Sequence, residues 1–343
     1  MTTARAATPS PAAGSSAQEA GGAGTAAAPT PRKAASRKAT FGKATFRKAA
    51  SRKETSRKAG PRRRPRAAGW LAVLPLIVFV LVVFGLPAFA IVTNAFRTSA
   101  GTPGGRHWTT DNLSQSVHGA YLTALWGSVK LSALTAAVGV LAGLPLAHAV
   151  VTSRFRALRE GVLAASGVLA NFGGVPLAFA FVATLGNSGE LTRALNLGGH
   201  GWSLYSFTGL SVVYLYFLVP LMVLTITPAL DGLRAQWREA AQNSGATSRQ
   251  YWLHVALPVL APSLTGGFVL LFGSAFAAYA TAAAIVGSSV PLITLQIANA
   301  LSGNVLAGQG NVALALSLDM IVIAGAVMAL YIPLQRRSAR WLH

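Results

Sequence analysis

The stretch REAAQNSGATSRQYWLHVALP, residues 238–258, decides how the rest of this sequence is interpreted. It is polar and partly aromatic, yet it lies between two long apolar runs in a chain with 52% hydrophobic and only 11% charged residues. Such a composition is typical of a membrane protein and improbable for a soluble globular domain. The stretch is therefore expected to connect two membrane spans and to act outside the bilayer.

Within this loop the residues favour two short helices joined by a turn. Asp231 is a plausible N-cap for the first helix, and Gly245 suits the left-handed conformation that ends it. Thr247 and Gln250 form a capping-box pair for the second helix, which Pro258 is expected to bring to its end. A helix this short needs a packing partner, either another protein or its own bundle. Small or apolar side chains form one face of the first helix: Leu233, Trp237, Ala240, Ala241 and Ser244.

Six apolar runs follow Gly69, each long enough to span a membrane, which requires about 20 residues. The sequence therefore predicts an all-α, polytopic membrane domain over residues 70–335, with a loop at 231–258 and a C-terminal segment at 336–343. The predicted spans are 70–95, 127–150, 161–186, 207–229, 260–286 and 312–334.

Arginines sort the connecting segments onto two sides of the membrane. The N-terminal tail is strongly basic, and the last connector, residues 287–311, has no charged residue. By the positive-inside rule, both termini and the 231–258 loop are expected in the cytoplasm. The arginines that support this orientation are Arg154, Arg156 and Arg159, then Arg234, Arg238 and Arg249, and finally Arg336, Arg337 and Arg340.

Residues 1–69 have the composition of a disordered basic tail. They hold 16 Lys/Arg and two acidic residues, a net charge of +14 out of +21 for the chain. From Arg32 the basic residues recur in a five-residue pattern (RKAAS, RKATF, GKATF, RKAAS, RKETS, RKAGP), which matches neither a helix nor a strand period. Binding to anionic lipid headgroups is the favoured role, ahead of nucleic-acid binding or regulation.

No pattern in the sequence indicates catalysis, so the chain is not expected to be an enzyme. The Gly-Lys pair Gly42-Lys43 is followed by Ala44, and Arg37 stands where a P-loop requires glycine. There is no cysteine, and the six histidines lack metal-ligand spacing. The chain is expected to hold neither a nucleotide nor a metal ion.

Irregular and polar positions inside the predicted spans are candidates for a transport pathway, because such positions are costly in lipid. The run NFGGVP at 171–176 should kink or open the third span, so that Asn171, Gly173 and Gly174 line a cavity or admit a neighbouring helix. Tyr279 lies in a fifth span rich in small residues, which equally favours tight helix packing.

Asp319 in the sixth span should face protein or water, since an ionised Asp at a span centre costs about 2.5–3.5 kcal/mol. One hypothesis pairs Asp319 with Lys130 of the second span. The preferred one has Lys130 extend to the interface while Asp319 faces the pathway.

The spaced pattern in the loop resembles the EAA loop of binding-protein-dependent ABC importer permeases, EAA-x3-G-x9-I-x-L-P. Every spacing agrees, and the loop lies between the fourth and fifth of six spans. The resemblance covers residues 70–335 and implies the MetI-like permease fold. Its members here are Glu239, Ala240, Ala241, Gly245, Val255 at the Ile position, Leu257 and Pro258.

The resemblance implies a role for the loop and a set of partners. In that family the first loop helix is a coupling helix held in a cleft of an ATP-hydrolysing subunit. Glu239 would be the charged contact, Ala240 and Ala241 would allow close approach, and Gly245 would make the turn. ATP and Mg²⁺ would bind the ATP-binding subunits. Further partners would be a second permease, identical or different, and an extracytoplasmic solute-binding protein at a bacterial inner membrane.

The run ANFGGVPLAFAF and the overall pattern resemble permeases for polyamines, iron, phosphonates and thiamine, which implies a small polar solute such as a polyamine. The alternative is an ion-coupled secondary transporter without an ATPase. It would need an internal repeat and intramembrane carboxylates, and among the predicted spans only Asp319 qualifies.

Overall fold

A computed structural model describes residues 66–98, 105–302 and 310–339, and every regular element within these ranges is a helix. The predicted all-α fold is therefore confirmed. The predicted tail lies outside the described residues except for 66–69, which begin the first helix. The helices are α1 (Arg66–Val80), α2 (Leu86–Ala95), α3 (Asp111–Ser116), α4 (Gly119–Thr152), α5 (Arg156–Asn171), α6 (Val175–Leu185), α7 (Glu190–Ala194), α8 (Phe207–Asp231), α9 (Ala235–Asn243), α10 (Ser248–Tyr251), α11 (Leu257–Phe276), α12 (Ala280–Ile285), α13 (Ile293–Leu301) and α14 (Gly310–Ala339).

Five helices of the described ranges are long and apolar enough to cross a membrane, and a sixth span results if α5 and the following helices are counted as one bent span. The two parts of that span meet at an angle of 101°. We call the end of the bundle that carries residues 232–247 the loop side and the opposite end the far side. The five long spans are Val73–Ala95, Gly119–Thr152, Phe207–Asp231, Ser248–Phe276 and Gly310–Pro333.

Helix α8 is the centre of the bundle and packs against α4, α5 and α11. Close approach of these helices depends on two glycines that face Met222, which is fully buried. A Cβ on Gly143 of α4 would lie 2.6 Å from the Met222 Cβ, and a Cβ on Gly267 of α11 would lie 2.7 Å from the Met222 Sδ. Small residues thus allow one large side chain to fill the space between three helices.

The third predicted span is broken where the sequence indicated a kink. Helix α5 ends at Asn171 and α6 begins at Val175, so 161–186 is not one straight helix. Gly174 causes the break, because its φ of 78° and ψ of −151° lie in a region open almost only to glycine. Pro176 then lies in the first turn of α6, where its missing N–H costs no hydrogen bond.

The fifth predicted span, 260–286, differs from the structure at both ends. A continuous helix begins earlier, at Ser248, and α11 ends at Phe276, before the separate short helix α12. The expectation that Pro258 ends the second loop helix is wrong. A π-helical turn, Trp252–Ala256, precedes Pro258, and the Leu257 N–H bonds the Trp252 carbonyl instead of the next one along. This wider turn lets the helix continue past a residue that lacks an N–H.

Asp231 is the last residue of α8 and does not cap the next helix, so its predicted N-cap role is wrong. Its carboxylate accepts a hydrogen bond from the Arg159 guanidinium of α5 at 2.6 Å. Both side chains are more than one third exposed, so the pair contributes at most about 1 kcal/mol. The pair holds the loop-side ends of α5 and α8 together.

The connector 287–311, predicted only as a loop between two spans, contains a helix on the far side of the bundle. Helix α13 lies within that connector and packs against α4 and α14. The Ile293 N–H at its start donates to the Ser128 hydroxyl of α4 at 2.8 Å. Nearby, the Arg97 carbonyl accepts hydrogen bonds from both Asn112 and Asn311, which joins α3 and α14 to the end of the first span.

Candidate functional site

The loop adopts the helix–turn–helix form that its residues predict. Helix α9 ends in a Schellman motif: the Ala246 N–H bonds the Ala241 carbonyl and the Gly245 N–H bonds the Gln242 carbonyl. Gly245 has a φ of 80°, which confirms its left-handed conformation. Thr247 and Gln250 then exchange the two hydrogen bonds of a capping box.

Helix α9 is a surface helix with no buried residue. Glu239 and Ala240 are exposed, and Ala241 is half-buried. At the start of the helix the Arg234 guanidinium lies over the Trp237 ring, 5.9 Å from its centroid. Ala240 is thus open to a partner, whereas Leu233, Trp237 and Ala241 of the same face are half-buried, and Leu233 packs against the core of the bundle.

An open cavity of about 340 Å³ lies where two helix breaks of the bundle meet. One break separates α5 from α6, and the other separates α11 from α12. The Gly174 N–H donates to the Thr281 hydroxyl at 2.9 Å, and the Tyr214 hydroxyl of α8 donates to the Ala278 carbonyl at 3.0 Å. Groups that the breaks release are therefore bound across helices, as buried backbone requires.

Four of the five predicted pathway residues line this cavity: Asn171, Gly173, Gly174 and Tyr279. Tyr279 is 45% exposed, and the Asn171 amide donates to the Gly167 carbonyl of its own helix. Phe217 and Leu221, also in the lining, lie near the midpoint of α8, about 18 Å from its loop-side end at 1.5 Å per residue. The cavity is thus at mid-span.

The family of binding-protein-dependent transport system inner membrane components matches residues 139–340, which include the loop, both helix breaks and the cavity. The chain belongs to this family. It is the permease subunit of an ABC importer, so its task is transport and not catalysis. The multi-pass membrane fold inferred from the sequence is in accord with this membership.

Sequence relatives include permeases for different solutes. The permease is 28% identical over 216 residues to the molybdenum transport system permease protein ModB of Mycobacterium tuberculosis, covering 60% of this chain and 76% of that one. It is 38% identical over 68 residues to the sulfate transport system permease protein CysT of Salmonella typhimurium, covering 20% and 24%.

A solved structure of similar fold is a bacterial alginate ABC transporter in complex with an alginate pentasaccharide-bound periplasmic protein. The TM-score is 0.60 at 16% identity, covering 79% of this chain and 94% of that one. At this identity the likeness concerns the fold alone.

Asp319 of the permease lies away from the cavity. It lies beside Ser116 of α3, which is fully buried, and its Oδ2 atom is buried without a hydrogen-bond partner among the described residues. It forms no ion pair with Lys130, because the two ion pairs of the described ranges are Arg156–Glu160 and Arg159–Asp231. Lys130 is exposed and lies 5.3 Å from the centroid of the Trp126 ring. The pairing hypothesis is therefore wrong.

Several cavity residues were not among the predicted site residues. Thr281 is buried and joins the two breaks, although in the sequence it is only a polar residue in a span. Ser274 lies near it in the lining. The polarity of Thr281 inside an apolar run was a signal in the sequence for a place in the cavity. Phe217 and Leu221 had no such signal, because hydropathy does not distinguish them from the other apolar residues of their span.

Proposed function

We propose that α9 is the coupling helix through which an ATP-binding subunit drives the opening and closing of the permease. The observation that carries this proposal is the direct connection between α9 and the cavity. The Schellman turn and the capping box join α9 to the continuous helix Ser248–Phe276, and that helix ends at the break that supplies Tyr279 and Thr281 to the cavity.

Movement of α9 would reach the cavity through this connection. The continuous helix from Ser248 to Phe276 is about 43 Å long. When α9 moves the loop-side end of this helix, the helix tilts and its far end moves as well. The break at 277–279 is where such a displacement can be absorbed, because hinges are short segments at element ends. Two discrete arrangements of the two breaks would give alternating access.

The partners of this proposal are those of a binding-protein-dependent importer: two ATP-binding subunits on the loop side, a second permease, and a solute-binding protein on the far side. ATP and Mg²⁺ would bind the ATP-binding subunits and not this chain. The loop side would be cytoplasmic, as the arginines at 154–159 and 234–249 favour, with the protein in a bacterial inner membrane and both termini in the cytoplasm.

Copurification tests the coupling helix. The tagged permease is isolated from its native membranes in mild detergent, and copurifying subunits are identified by mass spectrometry. Glu239→Arg and Gly245→Trp are expected to lose the ATP-binding subunit, the first by charge reversal and the second because a side chain at φ 80° is strained.

Two matched controls separate coupling from general damage. Glu190→Arg reverses an exposed charge on α7, and Gly201→Trp places the same side chain at a φ of 77° with open space around it. Both are expected to retain the ATP-binding subunit. Equal loss in the controls, or no such subunit with the wild type even after cross-linking, would contradict the proposal.

We further propose that the solute is a small oxyanion. The polar groups of the cavity lining are neutral donors, namely the Asn171 amide and the hydroxyls of Ser274, Tyr279 and Thr281, and none of the residues that line it is Asp or Glu. N–H and O–H donors can hold an anion, whereas the lining offers no carboxylate as a counter-charge for a polyamine. Relatives named for molybdenum and sulfate transport add support.

Uptake measurements distinguish the oxyanion from the polyamine-like solute that the sequence resemblance favours. Cells lacking the chromosomal copy are complemented with wild type or Tyr279→Phe, and uptake of molybdate, radiolabelled sulfate and a radiolabelled diamine is compared. Oxyanion uptake is expected with the wild type, with reduced uptake for Tyr279→Phe. Diamine uptake alone would favour the polyamine-like solute and contradict the oxyanion proposal.

A further inference from the structure

We propose that a second cavity, at the loop side, is a binding site for a phosphate group. This cavity of about 250 Å³ lies between the end of α4, the start of α9 and the start of α10. It is separate from the mid-span cavity and shares no lining residue with it. The proposal does not rest on the coupling role of α9 or on the identity of the transported solute.

The cavity concentrates positive charge that no carboxylate balances. The positive charge comes from Arg234 and Arg238 of the α9 region; the imidazole of His148 from α4 also lines the cavity, and none of its lining residues is Asp or Glu. The nearest acidic residue along the chain on the α8 side, Asp231, is already paired with Arg159. Within the described ranges neither cavity arginine forms an ion pair. An unbalanced cluster of guanidinium groups favours phosphate, which arginine binds in bidentate geometry.

Hydroxyl donors complete the lining beside the charges. Ser248 and Tyr251 both line the cavity, and neither hydroxyl has a hydrogen-bond partner among the described residues. Tyr251 is only 8% exposed, so its hydroxyl has little other access to water than through the cavity. Both hydroxyls are open to the cavity and can donate to a ligand held there.

Apart from Thr152 the rest of the lining is apolar, and the site lies at the loop-side end of the span Gly119–Thr152. Leu230, Leu233, Val151 and Trp252 form the apolar wall, with the Trp252 ring edge-on to His148 at 4.7 Å. His148 is one turn from the end of α4 at Thr152, about 6 Å along the axis. A phosphate held here on an anionic lipid or free in solution would connect α4 to α9 and restrict the position of α9.

The test compares a phospholipid with inorganic phosphate as the source of that group. The full-length protein is reconstituted into nanodiscs of pure phosphatidylcholine or of equal parts phosphatidylglycerol and phosphatidylcholine, and retained lipid is counted by native mass spectrometry. Inorganic phosphate is titrated separately in the phosphatidylcholine nanodiscs at constant ionic strength, with thermal stability as the readout.

Arg238→Gln is expected to weaken binding of the phosphate group about tenfold or more, since hydrogen bonds to charged groups are among the strongest in proteins. Arg249→Gln is the matched control, because Arg249 lies in the same loop but does not line the cavity. Tyr251→Phe removes one hydroxyl at nearly constant shape and is expected to weaken binding a few-fold.

Each outcome decides the proposal. Phosphatidylglycerol retained by wild type and Arg249→Gln but not by Arg238→Gln identifies a lipid headgroup; stabilisation by inorganic phosphate with the same dependence identifies a soluble phosphate. Equal losses in Arg238→Gln and Arg249→Gln would mean nonspecific surface charge and would overturn the proposal. So would the absence of binding of either probe to the wild type. Unchanged unfolding of Arg238→Gln in pure phosphatidylcholine excludes a folding defect as the cause of its loss.

Discussion

Gly174 and Thr281 are the two residues on which the mid-span cavity depends. Gly174 supplies the backbone conformation that turns the chain between α5 and α6, and Thr281 binds the N–H that the turn exposes. They lie 107 positions apart in the sequence. Each can be changed by a single small substitution for which the chain offers a control.

Gly174→Ala is expected to destabilise the protein by about 1–3 kcal/mol and to impair uptake. The new Cβ would meet only the Ala280 Cβ at 3.8 Å, an ordinary contact, so the cost is backbone strain. Gly173, one residue earlier, has open space around it and no positive φ, so Gly173→Ala is expected to leave the free energy of unfolding nearly unchanged. SDS unfolding titrations of both variants measure the difference, and equal stabilities would refute the strain.

Thr281→Val keeps the shape of a side chain that is 3% exposed but removes the acceptor for the Gly174 N–H. A buried donor left without a partner costs about 1–3 kcal/mol. Thr281→Ser retains the hydroxyl and is expected to preserve most of the stability and of the uptake rate. If Thr281→Val and Thr281→Ser had the same stability and the same uptake rate, the hydrogen bond would have no role in holding the two helix breaks together.

At the scale of the helices, two features determine the architecture: how closely neighbouring helices approach each other, and whether a helix continues past a proline. The helices α4, α8 and α11 meet at Met222 because Gly143 and Gly267 leave room for it. The helix Ser248–Phe276 passes Pro258 because a π turn precedes the proline. A second π turn, Leu81–Gly85, precedes Pro87 in the first span in the same way. Pro87 and Pro258 therefore each follow a wider turn and do not end their helices.

Gly143→Ala tests the contact between α4 and α8. Its Cβ would lie 2.6 Å from the Met222 Cβ, an atom that cannot move without its backbone. Overpacking of this kind costs about 1–3 kcal/mol. Gly273→Ala in α11 has nothing within 4 Å and brings the same gain in helix propensity, so the difference between the two variants isolates the contact. Equal unfolding midpoints would show that the bundle adapts to the added methyl group.

At the scale of the whole molecule, the permease bundle and the basic tail are predicted to be separable in function. The loop, both helix breaks and the cavity lie within residues 139–340, the part of the chain that the family matches. Residues 1–65 carry much of the positive charge of the chain but none of the EAA pattern.

Deleting residues 2–65 is therefore expected to leave solute uptake largely intact. The measurement is uptake by complemented cells, normalised to the amount of protein in the membrane. Loss of uptake at normal membrane levels would instead favour a regulatory tail. Binding of the full-length chain to nucleic acid that vanished on deletion, with uptake unchanged, would favour the alternative of a membrane-tethered nucleic-acid binder.

The sequence by itself determined the features that depend on neighbours along the chain. Hydropathy located the spans, the spacing from Glu239 to Pro258 identified the loop, and Gly245 with the Thr247–Gln250 pair determined its turn, because each of these patterns lies within one continuous segment. NFGGVP indicated a break in the third span for the same reason. The prediction that Asp231 caps the next helix was wrong, because α8 continues to Asp231 and its carboxylate forms an ion pair with Arg159, which is distant in sequence.

Only the tertiary structure decided how these parts meet. It brought Asn171, Gly174 and Tyr279 to one cavity and placed Asp319 elsewhere, beside Ser116. Local patterns contain no information on which break faces which, because the contacts that join them form between helices far apart in the chain. The direction in which each helix presents its polar groups depends on packing around α8, where apolar residues of similar hydropathy are buried or exposed according to position.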